Sequence, residues 1–229
     1  MDAPDLTRTR TPQRIALFGG SFDPPHRGHL AVARAAADAF HLDRVLLAPS
    51  GRQPLKPDGA VAAYADRLAM VGVACAVDAR LEASSIDAPL VDGSSNFTVT
   101  TLATLERMCP GARLFNLVGA DSFRDLARWK DPGQLLDVVD WIVVSRPGYT
   151  LTDPAGLTLS REQRRRIHLL ESVQEDVDAT GLRERLRLGE ACGSLLPEGV
   201  EAYIRCRGLY GSELSARSTP IADGPKPLP

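Results

Sequence analysis

Short apolar runs alternate along this chain with longer stretches whose apolar positions recur at helical spacing. Ile15-Ala16-Leu17-Phe18 has the length of a buried strand, and Arg44 to Ala48, Leu114 to Val118 and Trp141 to Ser145 repeat the pattern, with a further strand near Ile167 to Leu170. Between them, Leu30 to Ala37 has the alanine-rich composition of a strong helix, and the spacing predicts helices over Ala65–Val77, Thr98–Met108 and Ser122–Trp129. Strands alternating with helices predict an α/β fold in three layers, α/β/α, around a mainly parallel sheet. Leu195 to Ile204 reads as a proline-initiated packing helix that stops before Gly208. Residues 1–13 are polar and residues 211–229 are rich in Ser, Pro and Gly. Both are expected to be flexible, leaving 14–210 as one domain.

The turn after the first strand carries the densest chemistry. Gly19-Gly20-Ser21-Phe22-Asp23-Pro24-Pro25-His26-Arg27-Gly28-His29 joins that strand to the first helix. Gly19 and Gly20 let the backbone turn sharply and approach a ligand closely, and the unpaired N–H groups of a helix start favour an anion. His26 and His29, three apart at that start, offer ring N–H groups to phosphate oxygens from one side. In an open parallel sheet such a turn lies where ligands bind, beyond the strand ends.

Charge and cysteine use narrow the partners. With 27 basic against 29 acidic residues the formal net charge is −2, so no bulk field draws nucleic acid or an anionic membrane. The balance of 44% hydrophobic and 24% charged residues is that of an ordinary soluble domain. Cys75, Cys109, Cys192 and Cys206 lack metal-ligand spacing, and the N-terminal residues contain no apolar stretch. The expected compartment is the cytoplasm, and the expected partners are small molecules.

GGSFDPPHRGH resembles the HxGH signature of the nucleotidyltransferase superfamily, and in its longer form the nicotinate-nucleotide adenylyltransferase branch. Later segments extend the resemblance over most of residues 14–210, which would then form a Rossmann-like nucleotidyltransferase domain. Lys56, in Pro54-Leu55-Lys56-Pro57, stands where the family has a Pro-His-Lys loop, although Leu55 departs from it. Thr98, in Asn96-Phe97-Thr98, matches a Ser-Tyr-Thr element that contacts the mononucleotide; a helix-capping hydroxyl is its structural alternative. Asp121, in Gly119-Ala120-Asp121-Ser122, matches GxDS and is the candidate for ribose hydroxyls, with helix capping as the alternative. Trp129 suits stacking on a nicotinate ring or core packing, and Arg146 of Arg146-Pro147-Gly148-Tyr149 suits a carboxylate or phosphate, or bracing of its loop. Val177 to Arg183 partly matches the second signature, ISSTxIR. Thr180 and Arg183 fall on its Thr and Arg, and Asp178 replaces a serine.

The resemblance implies adenylyl transfer from ATP to nicotinate mononucleotide, with Mg²⁺ accompanying the ATP. ATP would be held by Gly19, Gly20, Ser21, His26, His29, Asp121, Thr180 and Arg183, of which His26, His29 and Arg183 would be catalytic. The second substrate would meet Lys56, Thr98, Trp129 and Arg146. No general base and no dedicated metal ligand are assigned. Three alternatives stay open: an adenylyltransferase for nicotinamide mononucleotide or phosphopantetheine, a nucleotide-binding protein weakened by Asp178, and a scaffold docking a partner through its tail. A homo-oligomer is compatible with the sequence.

Overall fold

A computed structural model describes residues 12–55, 59–145, 152–171 and 177–211. Among them, six strands form one sheet: β1 (Arg14–Gly20), β2 (Arg44–Pro49), β3 (Leu81–Ala83), β4 (Arg113–Gly119), β5 (Asp140–Ser145) and β6 (Ile167–Glu171). Their order is β3-β2-β1-β4-β5-β6, and every neighbouring pair is parallel.

Successive residues of each inner strand feed opposite faces, as the pleat requires. Ala16 of β1, Val45 and Leu47 of β2, and Phe115 and Leu117 of β4 join one core; Ile15, Leu17, Leu46, Leu114 and Val118 join the other. The first core is covered by α1 (Arg27–Ala39), α2 (Tyr64–Cys75), α7 (Ala179–Arg187) and α8 (Glu198–Arg207). Over the second lie α3 (Thr98–Met108), α4 (Ala120–Arg124) and α5 (Pro132–Val138). Both faces are therefore closed, which is why the strands read as continuous apolar runs.

Some expectations change. The helix expected over Ser122–Trp129 breaks into α4 and a single 3₁₀ turn, Leu126–Arg128. Phe123 and Leu126 are both buried and three apart, and the 3₁₀ turn, with three residues per turn, stacks such positions on one line facing the second core. Pro132 then disfavours helical backbone at Asp131, which takes φ 50°, and α5 restarts with the proline in its first turn. Strand β3 and the short α6 (Arg161–Arg165) lie where the periodicity predicts nothing. Three residues of β3 with a single buried side chain, Leu81, are too few to show a period. The last helix starts at Glu198 behind Pro197 and ends at Gly208, whose φ of 60° suits glycine.

After β1 the chain passes to β2 and β3 on one side, then returns to β4 on the other. Strand order thus switches between β1 and β4, and their carboxyl ends open a crevice.

Candidate functional site

The crevice holds a cavity of about 530 Å³, a size typical of small-ligand pockets. It is lined by Gly19 and Gly20 of β1, His29 of α1, Thr98 of α3 and Trp129. A side chain at Gly19 would meet nothing within 4 Å, so its bare backbone leaves open space there for a ligand. One at Gly20 would press on the Phe22 ring at 3.3 Å. Phe22 itself has φ 46°, unfavourable for an aromatic residue, and its burial against Phe18 and His29 holds that conformation in place.

The two histidines form a stacked pair, with ring centroids 3.7 Å apart and planes at 28°. His29 Nδ1 accepts a hydrogen bond from the His26 backbone N–H at 3.2 Å, so a neutral His29 ring carries its proton on Nε2. His26 is 8% exposed, and its Nδ1 has no hydrogen-bond partner among the described residues. Burial lowers the His26 pKa from 6.5 to about 4, and the nearby Asp178 charge only partly opposes that shift. The unliganded His26 ring is therefore neutral at pH 7. An unfolded histidine titrates near 6.5, so between about 6.5 and about 4 the unfolded chain binds the extra proton. His26 therefore costs no stability above pH 6.5, and destabilises progressively as the pH falls through that window, by about 3 kcal/mol in full. Urea midpoints of the wild type and His26→Gln should diverge between about pH 7.5 and about pH 5, the wild type losing more.

The second signature reaches the same loop. Asp178 caps α7, accepting from the Gly181 N–H at 2.8 Å, so the departure from serine serves as a helix cap. Arg183 donates from Nη1 to the Asp23 carbonyl at 2.8 Å and from Nη2 to Thr180 Oγ1 at 3.1 Å. Thr180 and Arg183 thus adjoin the Ser21–His26 loop without lining the cavity itself. The loop is braced from behind by Arg67, 3% exposed, which donates to the carbonyls of Ser21 (2.7 Å), Ser50 (2.9 Å) and Ala62 (3.2 Å).

Not every expected residue converges on the cavity. The Asp121 side chain is exposed and pairs with Arg124 at 3.0 Å, while Gly119 and Ser122 line the cavity instead. Thr98 is the first residue of α3, behind Phe97 at the N-cap, so its hydroxyl is not the cap. Trp129 lines the cavity and packs 6.0 Å from the Trp141 ring. Lys56 and Arg146 lie outside the described residues.

Other lining residues had no motif to announce them. Asp87 accepts from Thr101 Oγ1 at 2.8 Å, and burial pushes its carboxyl up from the usual range. Asn96 ties the same wall together, donating to the Ala88 carbonyl and accepting from the Arg52 N–H. Lys130, with Nζ 4.6 Å from the centre of the Phe97 ring, also lines the cavity. Among the described residues, no group of His, Cys, Asp or Glu side chains could hold a metal ion.

An open parallel sheet, a glycine turn at its switch point and a histidine pair at the following helix start define an α/β nucleotidyltransferase. Residues 17–185 match the family model described as cytidylyltransferase-like. A probable nicotinate-nucleotide adenylyltransferase of Rubrobacter xylanophilus is 39% identical over 201 residues, covering 87% of this chain and 93% of its own. Another, from Roseiflexus sp. strain RS-1, is 38% identical over 196 residues, covering 86% and 97%. The solved Plasmodium falciparum nicotinic acid mononucleotide adenylyltransferase complexed with NaAD shares the fold, with TM-score 0.67, 14% identity, and 88% of this chain and 99% of that one covered. The chain belongs to the cytidylyltransferase-like family, among its nicotinate-nucleotide adenylyltransferases.

Proposed function

We infer that this protein transfers the adenylyl group of ATP to nicotinate mononucleotide, giving deamido-NAD and pyrophosphate in NAD biosynthesis, with residues 14–210 as the catalytic domain. The observation that carries this reading is the stacked His26–His29 pair, whose His29 lines one cavity together with Thr98 and Trp129. A glycine turn with a histidine and an aromatic side chain lining the same cavity suit two substrates meeting through their phosphates.

The 5′-phosphate oxygen of nicotinate mononucleotide attacks the α-phosphorus of ATP, and the bond to the bridging oxygen breaks to release pyrophosphate. Both nucleophile and leaving group are phosphate oxygens, already ionised near neutral pH, so neither a covalent intermediate nor a general base is required. The protein aligns two anions and stabilises added negative charge. His29 presents Nε2–H to the triphosphate, His26 and the N–H groups of the Gly19–Ser21 turn lie beside it, and Thr180 and Arg183 hold the β- and γ-phosphates from α7. Asp121, exposed at the carboxyl end of β4, is retained as the ribose contact, and Lys56 and Arg146 as contacts to the mononucleotide. The donors near the phosphates are imidazole, guanidinium and amide groups, so Mg²⁺ would be held by the nucleotide's own oxygens and water, where it neutralises triphosphate charge.

Among the described residues no helix is long and apolar enough to cross a membrane, and all four cysteines are free thiols. These features support a cytoplasmic enzyme.

Pyrophosphate release from ATP and Mg²⁺ tests the assignment, with nicotinate mononucleotide, nicotinamide mononucleotide and phosphopantetheine supplied separately. Release with the nicotinate substrate alone is expected. Release with another acceptor alone reassigns the substrate, and ATP binding without release removes the enzymatic reading. Trp129→Leu, which keeps apolar bulk but loses the aromatic plane, should raise KM for nicotinate mononucleotide about tenfold and leave KM for ATP unchanged.

A further inference from the structure

The loop that carries the histidines is closed from the far end of the described chain. Asp23 lies within that loop and is 4% exposed. Its carboxylate accepts from the backbone N–H groups of Val61 (2.6 Å) and Ala62 (3.0 Å) and from the Tyr210 hydroxyl (2.7 Å). Its carbonyl oxygen accepts from Arg183 Nη1. Three segments distant in sequence therefore meet on one residue: the approach to α2, the first turns of α7, and the 3₁₀ turn Leu209–Gly211 that follows α8.

Tyr210 holds this position against its own backbone preference. Its φ is 60° and ψ 23°, a left-handed conformation that an aromatic residue rarely adopts without compensation. Compensation comes from packing against the first core and from the bond to Asp23. Burial, reinforced by the Asp23 carboxylate, keeps the phenol protonated and donating. Helix α8 delivers the turn, itself fixed to α2 by Tyr203 Oη and Arg207 Nε, which both donate to Asp66.

We propose that Tyr210 is a positioning residue for phosphate transfer: its hydroxyl fixes Asp23, whose carbonyl fixes the Arg183 guanidinium, so that the docked C-terminal turn completes the phosphate-holding edge. With Nη1 committed to Asp23 and Nη2 to Thr180, the plane of Arg183 is set and its remaining N–H groups are directed before the nucleotide arrives. Freeing Asp23 from Tyr210 lets that plane turn. The consequence falls on the transfer step rather than on the proposed acceptor contacts Thr98 and Trp129, which belong to other elements.

This inference rests on the adenylyl-transfer reading, and the test separates the two. Pyrophosphate release is measured for the wild type, Tyr210→Phe, Arg183→Lys and the double variant, varying ATP and nicotinate mononucleotide, with rates normalised to folded protein by circular dichroism. Tyr210→Phe should lower kcat about tenfold with KM for nicotinate mononucleotide within about twofold of wild type. In the Arg183→Lys background the same change should cost less than about twofold, because the residue it positions is already gone. Asp23→Asn, which weakens the same bond from the acceptor side with Tyr210 in place, should reproduce the kcat loss and supplies the reading if the phenol proves necessary for folding. A lowered melting temperature with unchanged kcat per folded molecule, or losses that simply multiply in the double variant, overturns the proposal while the wild type still turns over. A wild type without turnover overturns the adenylyl-transfer reading, and this inference with it.

Discussion

Replacing His29 by alanine lowers kcat about a hundredfold, equivalent to about 3 kcal/mol of transition-state stabilisation, with far-UV circular dichroism unchanged. The ring lines the cavity, so its loss trims a wall, and Phe22 keeps its edge contact with Phe18. The backbone N–H of His26 loses its acceptor, Nδ1, but gains access to solvent in the enlarged cavity. The loss should therefore appear in the rate and not in the fold. His29→Gln separates hydrogen bonding from charge: an amide N–H replaces Nε2–H but cannot become cationic, and recovery of much of the rate would show that a neutral donor suffices. That outcome agrees with a stacked neighbour, His26, whose burial disfavours a charge on its own ring. Single-turnover measurements with saturating ATP check it directly.

Arg67→Leu should destabilise the fold by about 4 kcal/mol, the largest stability loss expected from a single substitution at the site. The residue is 3% exposed and its side chain serves three carbonyl oxygens, on the loops after β1 and β2 and at the entry to α2. Burial lowers its pKa, an indication that the cation is held at a desolvation cost which the three acceptors offset. Leucine removes the donors and leaves buried carbonyls without partners. Lysine restores charge but not the planar fork, so Arg67→Lys should recover little. Urea denaturation gives the stability change, and a melting temperature lower by about 10 °C is the matching thermal result. Because the Ser21 carbonyl belongs to the histidine loop, the activity of the folded fraction should fall as well.

The contrast between these two residues explains what the sequence made legible. His26 and His29 belong to a local pattern whose meaning is complete within a strand, a turn and a helix, and the fold places them as that pattern requires. Thr180 and Arg183, three apart on the first turns of α7, are legible for the same reason. Arg67 is not, because an arginine inside an amphipathic helix looks like a solvated one until the β1 and β2 loops are seen above it. Asp87 and Tyr210 share this condition: each works through residues far away in the chain, Tyr210 through one 187 positions earlier. The element pattern behaves alike. The long inner strands and Thr98–Met108 follow from periodicity, whereas β3 survives only because β2 lends it a ladder, and the break before Pro132 depends on which side chains the second core accepts.

The bond between residues 23 and 210 also bears on how the protein is made. Chains emerge from the ribosome amino end first, and domains generally fold as units. Strand β1, at the centre of the sheet, and the histidine loop are synthesised early, and α1, β2 and α2 can begin to gather around them. The last hydrogen bond to Asp23 must wait until α8 and the turn beyond it have left the exit tunnel. A nascent chain stalled before that point can hold much of the sheet yet lack the finished site, so translation itself delays activity until nearly the whole described chain is free.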